Sequence, residues 1–148
     1  MPSTYSSLHY HLIFSTKNRE PLIQTAWRAR LHEYLGGMVR GLGGVSLGVG
    51  GVSDHVHLLV GLKPTHCLAD VMRDLKKDAT HWVQTTVGER GFFWQEGYAA
   101  ITVSPPGLPG VRNYIAHQEE HHRQRGFREE LKEILTQAGI PFDERYLD

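Results

Sequence analysis

The chain has a single cysteine, Cys67, in 148 residues. One thiol excludes an internal disulfide and fits a reducing, cytoplasmic setting. Long apolar runs are missing too: none approaches the roughly 20 residues that span a bilayer, so no membrane role is expected. The opening Met1-Pro2-Ser3-Thr4-Tyr5-Ser6-Ser7 has neither the basic nor the apolar region of a signal peptide. There is no excess of either charge, since 16 Lys and Arg balance 16 Asp and Glu. That balance speaks against a generic nucleic-acid binder, whose domain is usually basic. No Gly-x-x-x-x-Gly-Lys-Ser/Thr loop is present to cradle a nucleotide phosphate. Repeats, low-complexity tracts and interdomain linkers are also missing. With 40% hydrophobic residues, the expectation is one domain, residues 1–148, with a core of its own.

Histidine, by contrast, is plentiful, with ten copies. Ser53-Asp54-His55-Val56-His57-Leu58-Leu59-Val60 reads as a strand between glycines and Gly61/Pro64. Side chains two apart on a strand share a face. His55 and His57 therefore project together, and Val56, Leu58 and Val60 oppose them. Two parallel imidazoles can form half of a metal site. Spacing alone favours the plainer alternative, two polar residues on a solvated face. A second such pair, His9 and His11, lies in the alternating run Leu8–Phe14. It is either a rival site or part of the same cleft, where it would make supporting hydrogen bonds.

Trp27, Leu31, Tyr34, Leu35 and Met38 recur at helical spacing over about 25–38. Val45 to Val52 reads as a strand, with Gly50-Gly51 as a turn or bulge before the His55 strand. Leu68, Val71, Met72, Leu75, Ala79, Trp82 and Val83 predict a second amphipathic helix, capped from Lys63-Pro64-Thr65, with Cys67 packed inside. An aromatic loop, residues 91–98, leads to a fourth strand, residues 98–104. A third helix runs from Leu108 or Pro109 to about Arg123, with His121 and His122 on its solvated end. Phe127, Leu131, Ile134, Leu135 and Ala138 mark a fourth. The order β-α-β-β-α-β followed by two helices predicts an α/β (α+β) fold: a ferredoxin-like antiparallel sheet, whose second face the third helix is free to cover.

On that third helix Tyr114 and Gln118 lie four apart and share a face. Beside a divalent ion, which can polarise a phosphate oxygen, a tyrosine can attack phosphorus and split one transfer into two steps. The covalent link conserves the phosphodiester bond energy, so no nucleotide is needed for rejoining. Tyr114 is otherwise a packing residue and Gln118 a plain surface amide. Lys17, Arg19, Lys76 and Lys77 are candidate phosphate contacts. Residues 1–50 carry five basic residues against two acidic ones, so any nucleic-acid surface would be local.

The chain resembles the single-tyrosine HUH transposases of bacterial insertion sequences. His55-Val56-His57 matches the His-hydrophobic-His motif. The preceding Asp54, Phe14-Ser15-Thr16-Lys17-Asn18-Arg19, Phe93-Trp94-Gln95-Glu96-Gly97-Tyr98, Tyr114-Ile115-Ala116-His117-Gln118 and Phe142-Asp143-Glu144-Arg145-Tyr146-Leu147 match in order. The resemblance implies cleavage and rejoining of single-stranded DNA by Tyr114, leaving a 5′-phosphotyrosine and a free 3′-hydroxyl. It implies a metal, Mg²⁺ or Mn²⁺, on His55, His57 and Gln118. It further implies a homodimer that recognises imperfect hairpins, with REP-associated tyrosine transposases as one branch. The alternatives are a domesticated REP-type palindrome-processing or non-catalytic hairpin-binding protein, and a metal-dependent phosphodiesterase that activates water.

Overall fold

A computed structural model describes residues 3–123 and 125–147 of the chain. Met1, Pro2 and Asp148, the ends of the expected domain, lie outside the described residues. Strand β1 (Leu8–Ser15) leads to helix α1 (Thr25–Gly41), then β2 (Val45–Gly51) and β3 (His55–Leu62). Helix α2 (Leu68–Trp82) and β4 (Ala99–Thr102) follow, then α3 (Leu108–Ala116), α4 (Gln118–His122) and α5 (Phe127–Gln137). The sheet order is β2-β3-β1-β4, and every neighbouring pair is antiparallel. This is the ferredoxin-like arrangement that the element order predicts.

Strand alternation divides the sheet into two unlike faces. Leu12 and Phe14 on β1 and Val56, Leu58 and Val60 on β3 pack into one apolar core. Trp27, Leu31 and Leu35 of α1 and Met72, Leu75 and Ala79 of α2 complete it. Helix α2 then widens into a π turn over Val83–Val87 and stops at Gly88, whose φ of 93° is a left-handed value that suits glycine. Phe92 and Trp94 of the aromatic loop join this core rather than lying open; Phe93 remains exposed. Cys67 is exposed and forms the N-cap of α2, instead of packing within it, and no side-chain hydrogen bond caps that helix.

The opposite face presents His11 and Ile13 of β1 and His55, His57 and Leu59 of β3. All are buried. Helix α3 lies across β2 and β3 there. A Cβ on Gly50 would overlap the Ile115 carbonyl oxygen, so glycine at this position permits the close approach of α3 to β2. The expected single helix from Leu108 to about Arg123 is in fact two. His117, at φ −110° and ψ 29°, breaks it between α3 and α4. The break has no Gly or Pro signal; His117 Nδ1 instead pairs with the Asn113 carbonyl one turn back, at 2.7 Å.

Candidate active site

Antiparallel pairing sets Ile13 opposite His57 and His11 opposite Leu59, so His11 and His57 are diagonal neighbours on one face. His11 Nε2 lies 2.7 Å from His57 Nδ1. Burial, and then the neighbouring His57 ring, lower the His11 pKa to about 3, so His11 is neutral near pH 7. The second histidine pair therefore does not build a separate site. His11 lines the same cleft, and His9 lies outside it, paired with Ser7 Oγ.

His55 is fully buried. Its Nδ1 is 2.7 Å from Asp54 Oδ1. Burial alone would lower the His55 pKa, but the Asp54 and Glu130 carboxylates overcome that and raise it. For His57, burial prevails and its pKa is lowered. Asp54 is held low: burial opposes its ionisation, but the hydrogen bond to His55 and the charge of that ring overcome it.

The turn at His117 lets α4 aim both Gln118 and His122 inward, four residues apart. Gln118 Oε1 lies 3.1 Å from both His55 Nε2 and His122 Nε2. His122 is therefore part of the cleft and not on a solvated helix end, its side chain only 10% exposed. The His121 ring lies against Tyr114, 4.6 Å between centroids.

Helix α5 closes the cleft with Glu130, a residue 1% exposed. Glu130 Oε1 lies 3.0 Å from His57 Nε2, 3.3 Å from His55 Nε2 and 3.2 Å from His122 Nε2. The Tyr114 hydroxyl donates to the other carboxylate oxygen, Oε2. Burial opposes ionisation of Glu130, but its imidazole partners hold its pKa far below the usual carboxylate range. Burial, then the bond to this anion, raise the Tyr114 pKa above its ordinary value. The Phe127 ring stacks on His55 at 4.1 Å. Glu130 carries a signal in the sequence, for it sits three residues after Phe127 and four before Ile134, on the inward line of α5.

Of the expected site residues, the structure brings His55, His57, Tyr114 and Gln118 into one cleft. The donor set suits a divalent cation. His57 Nδ1 is engaged by His11 and His55 Nδ1 by Asp54, so the Nε2 of each ring faces the Gln118 and Glu130 oxygens. Imidazole nitrogens and amide and carboxylate oxygens gathered in this way can serve as ligands to a positive centre. The candidate phosphate contacts lie elsewhere. Lys17 is exposed and Arg19 partly buried on the turn after β1. Lys76 Nζ donates to the carbonyls of Gln95 and Gly97, at 2.7 Å each, and Lys77 is exposed on α2.

Fold and cleft first define a class: an antiparallel α/β scaffold with imidazoles, a carboxylate and a phenol on one sheet face. Residues 4–118 match the family described as "Transposase IS200 like", so the chain belongs to the IS200-like transposase family, whose members act on DNA. No curated protein matches the chain. Among solved structures, a candidate transposase from Deinococcus radiodurans R1 is 25% identical, with a TM-score of 0.64 over 80% of this chain and 95% of that one. A REP-associated tyrosine transposase bound to a REP hairpin is 16% identical, with a TM-score of 0.61 over 82% of this chain and 73% of that one; this second likeness is one of fold. His122 and Glu130 lie beyond the matched segment. Among the described residues, no helix is long and apolar enough to cross a membrane.

Proposed function

We propose that the chain is a single-domain, single-tyrosine transposase that cleaves and rejoins single-stranded DNA at hairpin-flanked sites. The observation that carries this reading is the Tyr114 hydroxyl. It donates to a carboxylate whose other oxygen touches three imidazole Nε2 atoms, so nucleophile and electrophilic groups share one cleft within one chain.

In this reading His55, His57 and Gln118 hold Mg²⁺ or Mn²⁺, which when bound polarises the scissile phosphate. The Tyr114 oxygen forms a bond to phosphorus as the bond from phosphorus to the 3′-oxygen breaks. Glu130 Oε2 accepts the phenol hydrogen bond and orients the hydroxyl. The phenol proton leaves to water as the phosphorus bond forms, and the departing oxygen takes a proton from water to become a 3′-hydroxyl. Rejoining reverses these steps on a new 3′-end, so no nucleotide is consumed. Lys17, Arg19, Lys76 and Lys77 are the phosphate contacts of this reading; Lys76 already holds two carbonyls and contributes its charge. The family resemblance supports a homodimer, imperfect hairpins as the DNA partner, and action in the cytoplasm.

The test is a denaturing gel of the protein incubated with labelled single-stranded hairpins and Mn²⁺. The parent protein should yield a covalent DNA adduct, and Tyr114→Phe should abolish it while leaving hairpin binding within about twofold. Adduct at normal yield from Tyr114→Phe would remove the nucleophile assignment. Tight hairpin binding with no adduct from the parent would favour a non-catalytic hairpin-binding protein.

A further inference from the structure

We propose that His122 and Glu130, carried on α4 and α5, bind the divalent ion together with His55. The inference rests on the metal-dependent reading above and extends its ligand set to residues outside the segment that matches the family.

Three observations carry it. One nitrogen of His55, one of His122 and one oxygen of Glu130 all lie within 4.8 Å of one another. The two nitrogen–oxygen separations, 3.3 Å from His55 and 3.2 Å from His122, match what adjacent donors adopt around an ion with bonds of about 2.1 Å, roughly 3.0–3.4 Å. The ring orientation fits as well. Asp54 engages Nδ1 of His55, and a carboxylate on the outer nitrogen is the usual support of a metal-bound imidazole.

The chemistry of the donors adds a reason. His55, His57 and Gln118 are neutral, and three neutral donors suit oxygen-seeking ions such as Mg²⁺ poorly. Glu130 brings a full negative charge into a cleft where it is 1% exposed. A buried carboxylate is costly unless paired, and here its partners are imidazoles and a phenol. Two imidazoles and a carboxylate accept Mn²⁺ readily and Mg²⁺ more weakly. Ion binding would also tie α4 and α5 to β3, so that the C-terminal helices and the sheet are joined through the ion.

Isothermal titration of the full chain with MnCl₂, without DNA, tests this directly. Glu130→Gln and His122→Gln should each weaken Mn²⁺ binding about tenfold or more, and the Mn²⁺-induced rise in melting temperature should shrink with them. Melts recorded without metal show whether each variant folds, and the two variants back each other up on this point. Parent-like affinity in both, with binding lost in His55→Ala, would overturn the assignment of these ligands and leave the metal-dependent reading intact. Binding indifferent even to His55→Ala would overturn both.

Discussion

The two faces of β3 obey the same alternation and serve opposite ends. Val56, Leu58 and Val60 point into a core closed by α1 and α2. His55 and His57, one residue out of phase, point into a cleft closed by α3, α4 and α5, and they are no less buried than their neighbours. On the first face, burial itself is favourable, about 25 cal/mol for each Å² of apolar surface removed from water. On the second, burial disfavours the charged forms of His11 and His57, as their lowered pKa values record. That face is held by reciprocal hydrogen bonds among His11, His57, His55, Gln118, His122 and Glu130. The apolar core lies on one side of a single strand and the candidate site on the other.

The sharpest way to break this comparison is to remove volume from the apolar face. Leu58 is fully buried. Leu58→Ala should cost about 3 kcal/mol, transfer and cavity terms together. A urea melt measures it, with the midpoint falling and the slope unchanged. An unchanged midpoint would mean that the α1–α2 face does not carry the fold.

The apolar face was legible because local pattern and tertiary partner agree: period-two strands meet period-3.6 helices. The side-by-side projection of His55 and His57 was legible for the same reason, since it is fixed by spacing along one strand. What the pattern hid was tertiary. Gln118 and Tyr114 reach the cleft from two different helices, because His117 leaves helical geometry, and nothing in Ala116-His117-Gln118 marks a break. His122 turns inward only as a result of that break. Glu130 sits between Glu129 and the stretch leading to Glu133, both exposed, so its inward position on α5 was masked by the acidic residues around it. Lys76 resembled a free surface cation for the same reason: its two carbonyl partners are about 20 residues away in the chain.

Gly50 offers a test midway between the faces. It lies on β2, and α3 packs so closely there that a Cβ would overlap the Ile115 carbonyl. Gly50→Ala should displace α3 and cost roughly 1–3 kcal/mol by overpacking. Its distinctive signature is a loss of Tyr114-dependent adduct larger than the loss of melting temperature at the assay temperature would explain. Normal adduct yield in a folded Gly50→Ala would show that the position of α3 is not critical to the cleft.

A pH titration sharpens the comparison at a half-buried histidine on α1. His32 on α1 has a pKa lowered to about 4 by burial and then by nearby Arg28. Its unfolded value is near 6.5, so between about pH 4 and 6.5 the unfolded chain binds more protons than the folded one. Stability must therefore fall as pH drops through that window. His32→Gln should remove up to about one proton from the slope, roughly 1.4 kcal/mol per pH unit. Urea midpoints at pH 7, 6, 5 and 4 read this out, with His11 leaving a residual slope of the same sign in the variant. Identical slopes in parent and variant would place the acid sensitivity wholly elsewhere.

The smallest expected effect separates two adjacent lysines. Lys76 and Lys77 share α2, yet only the first is half-buried, its Nζ donating to the Gln95 and Gly97 carbonyls. Burial lowers its pKa. Lys76→Met keeps most of the aliphatic stem and removes both donors, so the loss should be about 1 kcal/mol, reduced by partial solvent access. It should be local, since the carbonyls released belong to the loop that precedes β4 and that also receives the Asn18 amide through Gln95 Oε1. Amide hydrogen exchange should accelerate at Gly97 and Tyr98 in Lys76→Met and remain at the parent rate in Lys77→Met. On the DNA side the order should reverse. Lys77→Met should lower the salt slope of hairpin binding by about one phosphate contact, while Lys76→Met changes it less, because that ammonium is already directed at the loop. Equal salt slopes for the two variants would show that the tether to Gln95 and Gly97 yields when DNA arrives.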